Sequence, residues 1–85
     1  MVHIFNIKHN FLLQLYTCDY RYLVRSGRGL LWACTEKPIK EKDSVCWIVD
    51  KEACPIQDYH LFKEICVLNT EPLNIEEVLN ERGLL

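Results

Sequence analysis

Residues 20–49 read YRYLVRSGRGLLWACTEKPIKEKDSVCWIV, and this stretch decides the fold class. Tyr20, Tyr22 and Val24 alternate with Arg21, Leu23 and Arg25, the period of two expected of a strand whose faces meet different surroundings. Ser26-Gly27-Arg28-Gly29 follows, with glycines where a tight hairpin needs positive φ. Residues 30–35 return as a second strand. Pairing Ser26 with Gly29 sets Leu23 opposite Trp32, Arg21 opposite Cys34 and Val24 opposite Leu31. Pro38 has no N–H to give a ladder, so it ends that strand or keeps it at an edge. A charged loop at 40–43 then leads to a third run at 45–49, centred on Trp47. Together these features describe an antiparallel meander.

Working outward, residues 2–7 (VHIFNI) are β-branched and aromatic enough for a short strand. Residues 11–16 follow Asn10 and suit either a short helix capped by Asn10 or a buried strand. The β-formers Tyr16 and Thr17 tilt that reading to strand. Residues 50–62 are the least regular, with Pro55 and mixed polarity, and 65–68 suit a further short strand. The C-terminus reads as a helix. Asn74 is a good N-cap, and Glu77 completes a capping box. Glu76 and Glu77 suit the positive helix end, Arg82 the negative end, and Gly83 a stop. Ile75, Val78 and Leu79 form a narrow apolar face. The expected fold is therefore α+β: one domain over 1–85, with a small twisted antiparallel sheet (meander) and a C-terminal helix packed on one face. Its expected core draws on Leu23, Leu31, Trp32, Ile48, Ile65, Val78 and Leu79.

Composition sets the outer limits. With 85 residues, 49% apolar and 26% charged, the chain has room for one modest core and does not resemble a disordered segment. No apolar run approaches the roughly 20 residues that span a bilayer. A basic segment followed by an uninterrupted apolar stretch is also missing, so no signal peptide is read and a cytoplasmic, non-membrane protein is expected. Five cysteines, an odd number without a Cys-x-x-Cys pair, argue against a secreted disulfide framework. Cys34, Cys46 and Cys66 sit inside apolar runs and read as buried thiols acting as small hydrophobes. The net charge of −2 hides an asymmetry: residues 1–42 sum to +4 and residues 43–85 to −6. Either the two halves mix over one surface, or the molecule is polarised and presents a basic patch.

One resemblance adds to this reading. Tyr22-Leu23-Val24-Arg25, Gly29-Leu30-Leu31-Trp32, Glu36-Lys37-Pro38-Ile39-Lys40 and Trp47 make a pattern of strand, Gly turn, strand, Lys-Pro and Trp. It resembles small uncharacterised phage and prophage proteins. Phe62-Lys63-Glu64-Ile65 and Glu71-Pro72 match the Phe-x-x-Ile segment and acidic, Pro-containing tail that many of them carry. The likeness covers about residues 20–72, and it departs at the N-terminal seventeen residues and the C-terminal helix. It implies a mobile-element origin and no established activity.

Catalytic chemistry finds little support in the residues. His3, His9 and His60 are scattered and the cysteines lack zinc spacing, so neither a metal nor another cofactor is expected. Cys54 with His60 six residues on is a conceivable nucleophile and base. Glu76 and Glu77 diverge on a helix, and Gly27-Arg28-Gly29 lacks the pattern of a phosphate loop. Binding features are better developed. Arg21, Arg25 and Arg28 lie on one hairpin beside Tyr22, with Lys37 and Lys40 beyond its far end, a basic and aromatic texture seen in nucleotide and nucleic-acid sites. The leading expectation is a non-enzymatic protein-binding module of phage or prophage type, acting by stoichiometric contact. A small nucleotide- or nucleic-acid-binding protein using the basic hairpin is the alternative, and an anti-defence role fits either class. An enzyme comes third. Unpaired strand edges at 2–7 or 45–49 would favour a homodimer.

Overall fold

The computed structural model describes residues 4–41, 46–57, 62–65 and 71–85. A helix, α1, spans Ile4–Thr17 where the sequence suggested two strands, at 2–7 and 11–16. Phe11, Leu12, Leu15 and Tyr16 stand one, three and one residues apart, a spacing that gathers them on one helical face and would scatter them across a strand. Leu12 and Leu15 are buried there. The helix ends in a Schellman motif. The Tyr20 N–H donates to the Leu15 carbonyl at 2.9 Å and the Asp19 N–H to that of Tyr16 at 3.0 Å. Asp19 itself takes the left-handed conformation, at φ 71°, that glycine usually supplies.

The hairpin forms as expected but one residue out of the expected register. β1 (Tyr22–Arg25) and β2 (Leu31–Cys34) pair Tyr22 with Cys34, Leu23 with Ala33, Val24 with Trp32 and Arg25 with Leu31. Ser26 exchanges with Leu30, not Gly29: its N–H donates to the Leu30 carbonyl at 2.8 Å, while the Gly29 N–H donates to the Ser26 carbonyl at 3.0 Å. With Gly29 at φ +84°, the link is a three-residue loop, a turn closed by a glycine bulge. A one-residue slip exchanges faces. Leu23, Leu31 and Ala33 join the core cluster, whereas Trp32 lies beside Val24 on the opposite face and is only half-buried.

The third strand of the main sheet is not the Trp47 run. β3 (Ile39–Lys40) pairs with β4 (Trp47–Ile48) in a separate two-stranded ribbon. The strand beside β2 is β5 (Cys54–Ile56), within the segment expected to be irregular. Pro55 is tolerated because β5 is an edge strand, where a missing N–H costs no ladder bond. On the other side β6 (Leu73–Asn74) pairs with β1, giving a sheet order of β5-β2-β1-β6. Of the short strand suggested at 65–68, residues 66–68 lie outside the described residues.

β6 runs directly into α2 (Ile75–Glu81), where Asn74 caps the helix by accepting from the Glu77 N–H at 3.0 Å. α2 also ends in a Schellman motif, with the Leu84 N–H on the Leu79 carbonyl at 2.8 Å and Gly83 at φ +71°. Both helices cover one face of the sheet. The core joins Leu12 and Leu15 of α1, Leu23, Leu31 and Ala33 of the sheet, Phe62 and Ile65, and Ile75 and Leu79 of α2. Val78 packs against it in part, but Ile48 is 57% exposed and does not belong to it. The fold is α+β, with an antiparallel sheet and a C-terminal helix on one face.

Candidate functional site

The six residues singled out around the basic hairpin do not converge. Arg21 turns back onto the end of α1, where its Nη1 donates to the carbonyls of Tyr16 (2.9 Å) and Tyr20 (3.0 Å). Its guanidinium carbon stands 4.0 Å from the centre of the Tyr16 ring, and Nη2 is 3.7 Å from the Asp19 carboxylate. A cation placed over the carbonyls at a helix C-terminus is a stabilising arrangement. Arg25 is similarly committed. Nε donates to the Ile65 carbonyl (2.7 Å), Nη1 to Gly29 (2.8 Å) and Nη2 to Phe62 (3.1 Å). Tyr22 is half-buried between its cross-strand neighbours Cys34 and Asn74. Lys37 pairs with Glu71 at 3.3 Å, both exposed, and Lys40 stands 4.8 Å over the Trp47 ring. Arg28 projects from the exposed hairpin tip and has no partner among the described residues.

Arg28 instead belongs to the face of the sheet turned away from the helices. A groove of about 430 Å³ runs there between Val24 and Trp32 of the hairpin and Cys46, Trp47 and Val49, with the turn and Arg28 at one end. The indole N–H of Trp47 is buried without an acceptor among the described residues. Unsatisfied buried donors are uncommon in folded proteins. The ribbon that brings Trp47 to this groove has a second face. Ile39 and Ile48 are direct cross-strand partners and stand 68% and 57% exposed, while the neighbouring pair, Lys40 and Trp47, is half-buried. Alternation therefore turns Trp47 inward and the two isoleucines outward.

Two acid–base groups near this face have shifted ionisation. Cys34 is fully buried, and burial, reinforced by the Asp50 charge, pushes its thiol up to about 12. Burial opposes ionisation of Asp50 too, but hydrogen bonds from the Thr35 hydroxyl (2.7 Å) and nearby amides, including that of Glu52 (3.0 Å), outweigh it and hold the carboxyl below its usual range. Burial and the neighbouring Cys54 raise the pKa of the Tyr20 hydroxyl. Cys18, Cys46 and Cys54 are exposed, so Cys46 is not the buried residue its apolar neighbours suggested. Cys66 and His60 lie outside the described residues, and with His60 the suggested Cys54–His60 pair. Among the described residues, no group of three His, Cys, Asp or Glu is placed to hold a metal ion. No helix among them is long and apolar enough to cross a membrane.

Comparison with family models, curated proteins and solved structures finds no match for the chain. The surface residues that stand out are thus Ile39, Ile48, Trp32, Trp47 and Arg28. Sequence reasoning assigned Ile48 and Trp32 to the core and missed Ile39. The available signal was the short alternation Ile39-Lys40 against Trp47-Ile48, which makes a ribbon with one apolar pair on its outer face.

Proposed function

We propose that this protein is a non-enzymatic binding module of phage or prophage type, acting in the cytoplasm by stoichiometric contact with a protein partner. The observation that carries the reading is the outward Ile39–Ile48 pair. Two large aliphatic side chains sit directly opposite one another on a two-stranded ribbon and remain more than half exposed. Single exposed apolar residues are ordinary on protein surfaces, whereas a paired and contiguous set on one face of a ribbon is what contact surfaces use. Nucleotide or nucleic-acid binding through the hairpin has less behind it, because Arg21 and Arg25 already spend donors on main-chain carbonyls.

A photo-crosslinking residue in place of Ile39, introduced into the protein in its host cell, tests the proposal. The expected result is one discrete adduct of fixed stoichiometry, lost on Ile48→Asp and absent when the same group replaces exposed Gln57. An adduct at twice the 10.1 kDa chain mass identifies a second copy as the partner. Diffuse labelling, or equal labelling from position 57, rejects the reading.

A further inference from the structure

We infer that the groove beneath the ribbon is a binding site for a small organic anion with an apolar body and a carboxylate head. The site differs from the outer Ile39–Ile48 surface and does not depend on the protein-binding proposal. Its volume of about 430 Å³ falls within the range of small-molecule sites, which are roughly 300–1,000 Å³ and mostly apolar with a few placed polar groups. Its lining has that character. Val24, Val49 and the indoles of Trp32 and Trp47 offer apolar and aromatic surface.

One polar feature selects the charge of the occupant. Arg28 stands at the turn end of the groove with no acidic partner among the described residues. A guanidinium offers a planar fork of donors that matches a carboxylate. Arg28 only donates, so its complement is an acceptor of negative charge. A cationic amphiphile would meet Arg28 as a like charge.

Trp32 and Trp47 are the two tryptophans of the chain, and both line the groove. Intrinsic fluorescence therefore reads its occupancy directly. The probes are decanoate, decyltrimethylammonium and decanol, each used below its micellar or solubility limit. Decanoate is expected to give a saturable change, with the cation about tenfold weaker or more, since charge-assisted pairing and like-charge repulsion act in the same direction. Arg28→Gln, a change at an exposed turn, is expected to weaken decanoate by about fivefold to tenfold and to leave decanol unaffected. Cys46 lines the groove, whereas exposed Cys18 and Cys54 do not. Decanoate should therefore slow alkylation of Cys46 alone, as read by peptide mass spectrometry. Equal response to anion and cation, an unchanged decanoate affinity in Arg28→Gln, equal protection of all three thiols, or no saturable response overturns the assignment.

Discussion

Cys34 shows how much a single side chain's surroundings decide. Its neighbours Trp32 and Ala33 suggested burial, and it is completely enclosed. The folded state therefore holds the thiol protonated, to about 12, well above the ordinary thiol value of about 8.5. A group whose folded pKa is raised contributes stability that is whole below its unfolded pKa. That share is lost as pH rises from there through the folded value. At pH 8, iodoacetamide should modify Cys18, Cys46 and Cys54 in the native protein and leave Cys34 intact until the chain unfolds, as followed by peptide mass spectrometry. Modification of Cys34 at the rate of the other three would contradict its burial. Cys46 carries the complementary lesson. It too has apolar neighbours in sequence, Val45 and Trp47, yet it is exposed, since it lines an open groove and not the closed core.

Elements whose ends are written locally were legible; those fixed by distant partners were not. Asn74, Glu77 and Gly83 announce both ends of α2 within ten residues; Asn74 accepts from the Glu77 N–H as a cap does, and Gly83 takes the positive φ of a helix stop. α1 has no such announcement. Its stop is made by Asp19 in a conformation that costs an ordinary residue energy, and its apolar run of 11–16 was rich in residues that also favour strands. The hairpin turn was recognisable from Gly27 and Gly29, but the choice between a two- and a three-residue loop was not, and Trp32 changed faces on that choice. Strand β5 was hidden by Pro55, which disqualifies a central strand and is harmless at an edge. The two helix termini give opposite expectations in chemical denaturation. Asn74→Ala should cost about 1 kcal/mol by removing the cap. Asp19→Gly should gain up to about 1 kcal/mol by relieving the left-handed backbone, less whatever the exposed pairing with Arg21 supplies.

At the scale of the molecule, the two faces of the sheet have different tasks. The helix side is a closed apolar core in which Leu12, Leu23, Leu31, Ile75 and Leu79 are almost wholly removed from water. The other side is roofed by a two-stranded ribbon that leaves a groove below it and an apolar pair above it. The α+β class and a helix on one face were readable because they need only periodicity and caps. The candidate surface was not, because it depends on Trp47 pairing back to Lys40 and not to β2. Substitutions on the two sides should separate accordingly. Leu12→Ala should cost about 2–5 kcal/mol, as buried leucine truncations do, whereas Ile48→Asp should stay within about 0.5 kcal/mol of the parent. Urea unfolding of both variants checks this, and a large loss in Ile48→Asp would mean that Ile48 packs inside the fold.

The three-way grip of Arg25 has a consequence for motion. One planar group ties the hairpin tip, through Gly29, to the turn at 62–65, through Phe62 and Ile65. These two places are far apart along the chain, and neither can swing away without stripping donors from the same side chain. Breathing of the turn and fraying of the tip are thereby coupled through one side chain. Shared excursions of this kind define a cooperative subunit of local unfolding, and Arg25 adds a polar link to the core packing of Phe62 and Ile65. Arg28, three positions further along the same hairpin, is left with the freedom that Arg25 has surrendered.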